Sequence, residues 1–448
     1  MIYLNYYFKK FITEESILIA SALKWIFLSV VIGAVVGAFT TLFVKLIYIS
    51  TGFAFKFHYY YLLLPLGLFL SNFIINLLPA AKGHGTEKAI KSVNEDNGNM
   101  DIKVVPVKLI TTLITIIFGG SVGLEGPATQ IGGAISSFLG SLFKMNIADK
   151  RRLVVCGISA GFVSVFNAPV GAAIFACEVL YIGKLSYISL LPSLISSFVS
   201  YYTGLYIGNK PLKFPISYVP KNHIKTFIGV LIFSFIIGIA SILFIKLVGT
   251  IDKLFRKLKI YSPLKGIIGG LIIIALIIIT NSPAALGIGD ETFTKAVMGT
   301  KTPSQLFLVK ALTTSITLGS GGSGGILTPM LFIGSALGNV WAQLTHSSLV
   351  FYSAIGMVSF LAACSNVPIS SIVISLELFG GNIGLYASIA IGVSYLIVGH
   401  TSIYPTQFVV TSKTPSLKVD TNTEINDIDG SDISPKKHKL LKIIDKMK

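Results

Sequence analysis

Apolar residues run through this chain in long blocks, with polar residues gathered between them. Blocks of about 20 residues are enough for a helix to cross a hydrocarbon core. Such blocks cover 24–48, 60–78, 153–180, 227–248 and 266–279, and more apolar sequence follows. The pattern predicts an all-α polytopic membrane protein. Several blocks are interrupted by glycines and prolines, so some helices are expected to be broken.

Composition sharpens this. Of 448 residues, 53% are hydrophobic and only 12% are charged, whereas an ordinary soluble domain carries about a quarter charged residues. One or two soluble cores cannot bury that much apolar surface, which excludes a cytosolic enzyme or a nucleic-acid module. The net charge of +17 therefore needs another reading. The basic residues cluster at the ends and in short connections: Lys9 and Lys10, Lys144, positions 150–152, 253–259 and 436–448. This is the positive-inside signature, and it predicts an integral protein of the cell (plasma or inner) membrane with both termini cytoplasmic. Cys156, Cys177 and Cys364 stand alone in apolar sequence and are expected to be buried free thiols. No metal-ligand spacing occurs, no cofactor is called for, and no cleaved signal peptide is expected.

Three landmarks occur twice in the same order. Gly83-His84-Gly85-Thr86-Glu87 matches Gly287-Ile288-Gly289-Asp290-Glu291, and the run 119–127 matches 321–329. Asn167-Ala168-Pro169 with Glu178 matches Asn366-Val367-Pro368 with Glu377. The offsets are 204, 202 and 199 residues. An internal duplication follows. It divides the chain into an N-terminal segment (1–12), a first transmembrane repeat (13–207), a polar linker with three prolines (208–225), a second repeat (226–407) and a short cytoplasmic tail without a regulatory domain (408–448). Duplicated halves suit a transporter with its site at the repeat interface. The repeat alone leaves open whether the halves are parallel or inverted.

Broken backbone at membrane depth is tolerated where it lines a cavity or is buried in protein. Pro127 and Pro329 suit the first turn of a helix, so 123–127 and 325–329 each read as a loop feeding a helix start, and 83–85 as a third. Free N–H groups and a partial positive charge at such ends favour an anion. Close packing of glycines accounts for Gly132-Gly133 or Gly380-Gly381, but not for the motif order or the carboxylate of Glu125. An ionisable group inside a span is costly and marks function by default. At a helix start, Glu125 is an anion mimic: ionised it competes with the transported ion, and protonated it swings away.

These residues resemble the CLC family of chloride channels and chloride/proton antiporters. The resemblance rests on Gly123-Leu124-Glu125-Gly126-Pro127, Gly325-Ile326-Leu327-Thr328-Pro329, Asn167-Ala168-Pro169 and Tyr404, and covers about 16–407. It implies two inverted-topology repeats of tilted and broken helices in a homodimer within the lipid bilayer, one pore per subunit. It also implies Glu125 as the gating and proton-coupling residue, beside the amides of Leu124 and Gly126. The central anion site would use the amides of Ile326 and Leu327 and the Tyr404 hydroxyl. Where the family usually has a serine and then Ile-Pro, this chain has His84, Thr86 and Glu87, so His84 joins the anion-binding candidates and bears on selectivity. Leu124 replaces a common basic residue, and Val179 stands where many antiporters carry an internal proton-transfer glutamate. Glu178 and Glu377 are expected to cap or bond within helices.

Two rival readings share part of this pattern. Gly-x-Ser-x-Gly at 119–123 and 321–325, with His84, His346 or His400 as partner, would suit a serine hydrolase, but its duplication at the repeat offset points to shared backbone geometry. A sodium-coupled organic-solute transporter also has broken, duplicated helices, yet polar side chains for a large substrate are scarce. The expectation is CLC-type transport of chloride, as channel or proton antiporter, with fluoride or nitrate as alternative ions and no role for nucleic acid.

Overall fold

The computed structural model describes residues 2–57, 59–209, 214, 216, 223–427, 434 and 435. The first half contains α1 (Ile2–Ala54), α2 (Leu64–Leu77), α3 (Gly85–Asn94), α4 (Val104–Ile117), α5 (Glu125–Leu142), α6 (Ile147–Phe166), α7 (Pro169–Glu178) and α8 (Tyr187–Ile207). The second contains α9 (His223–Lys257), α10 (Ser262–Thr280), α11 (Asp290–Val297), α12 (Leu306–Gly319), α13 (Leu327–Leu344), α14 (Leu349–Ser365), α15 (Pro368–Phe379) and α16 (Gly381–Val398). Each helix of one half has a counterpart of the same rank in the other. Six helical segments among the described residues are long and apolar enough to cross a membrane, while α4, α7, α12, α14 and α15 are shorter.

The apolar run 153–180 is not one span. Asn167 adopts a left-handed conformation (φ 55°) that ends α6, and Pro169 then opens α7. Asn366 (φ 57°) and Pro368 break the second half in the same way. Asparagine tolerates that backbone better than other side chains, and proline preorganises a first helical turn. Hydrophobicity sums over such a break without registering it. The boundary placed at residue 12 falls inside α1. Most of 208–225, with its three prolines, and the basic run 436–448 lie outside the described residues.

The halves meet as a pseudo-twofold pair. α2 packs against α10 and α7 against α15. Gly123 and Gly325 exchange two backbone hydrogen bonds of 2.7 Å each as an antiparallel bridge. The loops beside that bridge are held reciprocally. Ser323 Oγ contacts Thr111 and Thr112 of α4, and Ser121 Oγ contacts Thr314 of α12. Thr115 Oγ1 accepts the Ser323 N–H, as Thr317 Oγ1 accepts that of Ser121.

The tail is not a bare extension. β1 (Tyr181–Ile182), from the α7–α8 connection, pairs parallel with β2 (Phe408–Val409). β3 (Leu417–Lys418) pairs with β5 (Ser434–Pro435), and β4 (Thr423–Glu424) lies antiparallel to β2. Ile182, Val409 and Val419 form a small core beneath this sheet. Lys413 turns back to the end of α16, donating to Tyr395 O (2.9 Å) and Asn366 Oδ1 (2.5 Å).

Candidate functional site

Three helix starts meet beside the Gly123–Gly325 bridge. α5 begins at Glu125, with Leu124 as its N-cap residue, and α13 begins at Leu327, with Ile326 as its N-cap residue. α3 begins at Gly85 after His84. Glycine is needed where they touch. A Cβ on Gly85 would stand 2.0 Å from the carbonyl oxygen of Gly126, and one on Gly126 would stand 2.8 Å from Gly325 Cα. The first N–H groups of a helix have no intrahelical partner, so converging starts concentrate donors in one buried place.

Glu125 occupies one of these starts. It is 2% exposed, and its carboxylate lies on the first turn of the other half's helix. Thr328 Oγ1 donates to Oε1 at 2.5 Å and Thr328 N donates to Oε2 at 3.2 Å. Gly123 leaves the room for this: a Cβ there would be 2.5 Å from both Glu125 Oε2 and Thr328 Oγ1. The carboxylate thus sits where a free anion would be held.

The other sequence candidates gather here too. Leu124, Ile326 and Leu327 are buried. Tyr404 is 1% exposed, and its hydroxyl neighbours Thr86 and Ser365. Thr86 contacts Thr129 (3.1 Å), which donates to Gly126 O (2.8 Å), so Tyr404 is tied through two threonines to the loop of Glu125. His84 Nδ1 is buried without a hydrogen-bond partner among the described residues, leaving a ring nitrogen unspent at the start of α3. Val179 is buried, and its carbonyl accepts from Gln407 Nε2 (2.8 Å), which also donates to Ser365 O (2.9 Å).

Sequence reasoning gave no role to Thr328, Lys108 or Lys310. Lys108 and Lys310 are fully buried and occupy equivalent places. Lys108 Nζ donates to Ala81 O (3.1 Å) and Gly83 O (2.8 Å). Lys310 Nζ donates to Ala285 O (3.1 Å), Gly287 O (2.9 Å) and Ile288 O (3.2 Å). Each ammonium holds the glycine turn that feeds α3 or α11. The signal was present: two isolated lysines in apolar helices, at the 202-residue offset of the loop motif.

The duplicated glutamates cap helices as expected, but the helices they cap belong to the opposite repeat. Glu178 does not bond within its helix; it accepts the N–H groups of Ile369 (3.0 Å) and Ser370 (2.7 Å) at the start of α15. Glu377 accepts those of Val170 (3.0 Å) and Gly171 (2.7 Å) at the start of α7. Each caps the partner repeat because inversion brings the end of one helix to the beginning of the other.

Duplicated broken helices whose starts converge on a buried carboxylate define a membrane protein of the anion-transport type. Residues 66–399 match the voltage gated chloride channel family model. The chain belongs to that family, the CLC proteins. It is 31% identical over 406 residues to a "Chloride/fluoride channel protein" of Pseudomonas syringae pv. tomato, covering 89% of this chain and 90% of the relative. It is 29% identical over 338 residues to an "H(+)/Cl(-) exchange transporter" of Citrobacter koseri, covering 71% of this chain and 69% of the relative. Among solved structures it resembles a "CLC-type fluoride/proton antiporter" with a TM-score of 0.82 and 27% identity, over 86% of this chain and 98% of the other.

Proposed function

We propose that this protein exchanges small halides for protons across a cell membrane, with fluoride the better ion and chloride the alternative. The observation that carries the reading is the Glu125 carboxylate seated on the N–H and hydroxyl of Thr328. Ionised, it fills an anion site; protonated, it gives up its attraction to the helix start and yields to the halide. One group then serves alternately as gate and proton carrier. The halide is received by free N–H groups around Leu124, Gly126, Ile326 and Leu327, by the Tyr404 hydroxyl and by His84. The preference for fluoride is supported by the names of the Pseudomonas relative and of the similar antiporter structure. We assign the reading to transport and not to hydrolysis, because Ser121 and Ser323 spend their hydroxyls on threonines of α12 and α4. The working form is a homodimer in the bilayer, with both termini on the cytoplasmic face.

The test is purified protein in liposomes under a fluoride gradient, with internal pH followed by a dye. Protons driven uphill by the gradient support exchange. Fluoride running down its gradient with no proton movement overturns it in favour of a channel, and chloride outpacing fluoride in the same assay overturns the ion assignment.

A further inference from the structure

Tyr404 lies on no helix. It sits in the irregular stretch 399–407, between α16 and β2. A side chain there is placed by contacts and not by a helical ladder. One tie is a backbone bond next to it, from Ile403 N to Cys364 O at 2.9 Å. The other is the side chain of Gln407, which is fully buried. Its Nε2 donates to Val179 O (2.8 Å) and Ser365 O (2.9 Å), while its Oε1 accepts from Ser402 Oγ (2.5 Å) and Asn366 Nδ2 (3.4 Å). The two carbonyls can only accept, so the amide has one orientation and all of its bonding capacity is used.

Val179 closes α7 in the first half, and Ser365 is the last residue of α14 in the second. The amide therefore stands on helix ends from both repeats. Its hold passes to Tyr404 by two routes. Ser402 Oγ, which donates to Gln407, accepts the Tyr404 N–H at 3.0 Å. Gln407 N donates to Tyr404 O at 3.1 Å. Both backbone polar groups of Tyr404 are thus fixed, one directly and one through Ser402. The first half offers a comparison 198 positions earlier, where Asn209 Nδ2 donates to Ser164 O (2.9 Å) and Asn167 Oδ1 (3.3 Å). An amide braces the helix break in each half, but the link from Gln407 continues through Ser402 to a residue of the halide site.

We propose that Gln407 is a positioning residue for halide binding, holding the Tyr404 backbone against both repeats so that the hydroxyl is presented to the ion at a set place. Binding then requires no ordering of the 399–407 stretch, a cost that is otherwise subtracted from affinity. The inference rests on the reading of Tyr404 as a halide ligand given above.

The experiment uses the full chain in liposomes, with initial fluoride flux measured over a range of fluoride concentrations. Tyr404→Phe removes the ligand, while Gln407→Leu and Ser402→Ala remove its placement. Each is expected to raise the half-saturating fluoride concentration by roughly threefold to tenfold, the span of one hydrogen bond. The double variant decides how Gln407 acts. Added to Tyr404→Phe, Gln407→Leu should give no further shift, because both changes remove the same contact. A Gln407→Leu protein that loses only maximal rate, or whose shift adds in full to that of Tyr404→Phe, overturns the proposal in favour of simple bracing. Ser394→Ala, which takes a buried hydroxyl from the contact between α16 and α14, should keep the wild-type half-saturating concentration; a shift as large as that of Gln407→Leu overturns the proposal. If Gln407→Leu fails to fold, Ser402→Ala decides through the same cycle. An unshifted Tyr404→Phe protein overturns the ligand reading and this proposal together, whereas a shifted Tyr404→Phe with an unshifted Ser402→Ala overturns this one only.

Discussion

Glu178 caps the helix that carries Glu377, and Glu377 caps the helix that carries Glu178. Each carboxylate takes two N–H groups of a buried helix start, so each locks one half of the protein to the other. Replacing either by alanine leaves two donors unmet and is expected to destabilise by about 1–3 kcal/mol. Thermal unfolding in detergent checks this. Comparable losses for Glu178→Ala and Glu377→Ala are expected, and a loss from one alone would contradict the reciprocal arrangement.

Glu125→Gln cannot ionise, so the expected outcome is anion flux with no proton movement in the liposome assay. Thr328→Val keeps the carboxylate but removes its hydroxyl partner. A charge-assisted hydrogen bond of roughly 1.5–3 kcal/mol is lost from the closed position. The anion should then displace Glu125 roughly tenfold more readily, each 1.4 kcal/mol being a factor of ten. An unaltered anion dependence would mean that Thr328 does not hold the gate.

Gly123→Ala tests the space that admits the carboxylate. The added methyl would meet Glu125 Oε2 and Thr328 Oγ1 at 2.5 Å, so the side chain must leave its seat. The expected protein is weakly coupled, approaching Glu125→Gln in its anion-to-proton ratio. A normally coupled Gly123→Ala protein would place the working position of Glu125 elsewhere.

Lys310→Met removes one buried ammonium from three carbonyl oxygens, and Lys108→Met removes one from two. Losing charged donors of this kind costs roughly 3 kcal/mol once several acceptors are stranded. Lys310→Met should be the less stable of the two by detergent melting. Negligible losses would show that the turns before α3 and α11 hold themselves, and equal losses would show that the third acceptor of Lys310 adds nothing.

The tail supplies a pH dependence. Burial pushes Lys413 down to about 7 from its ordinary 10.5, and His400, whose Nε2 accepts the Lys413 N–H at 3.1 Å, is lowered by burial and then by that lysine. Both groups bind fewer protons when the tail is docked. Between about pH 7 and 10.5 the undocked Lys413 therefore holds more protons, and docking strengthens as pH rises through that window. His400 adds the same sign below its ordinary 6.5. Hydrogen exchange across 408–427 should slow from pH 7 to pH 9 after correction for intrinsic rates, and Lys413→Met should flatten the trend. Faster corrected exchange at the higher pH would reverse the sign argued here.

The sequence made the duplicated halves legible because three motifs kept their order and spacing. It also exposed Glu125, since a carboxylate beside glycines and Pro127 has few other uses inside a span. Asn167 was less readable: one αL residue divides a helix without lowering the hydropathy around it. The cap made by Glu178 could not be read at all, because its donors lie 191 and 192 positions away and only the inverted packing joins them. Lys108 and Lys310 were within reach of sequence, but isolated lysines in apolar runs pass for the ends of spans until their common offset is noticed.

The Gly123–Gly325 bridge has a consequence for biosynthesis. Its two hydrogen bonds join residues made 202 positions apart, which at ribosomal speeds of roughly 5–20 residues per second is a delay of about 10–40 s. Through that interval the first half sits in the membrane with its Glu125 loop unpaired and no α13 start for the carboxylate to meet. In an unfinished chain the Glu125 carboxylate therefore has no partner helix start, and the site is assembled only once α13 has been made.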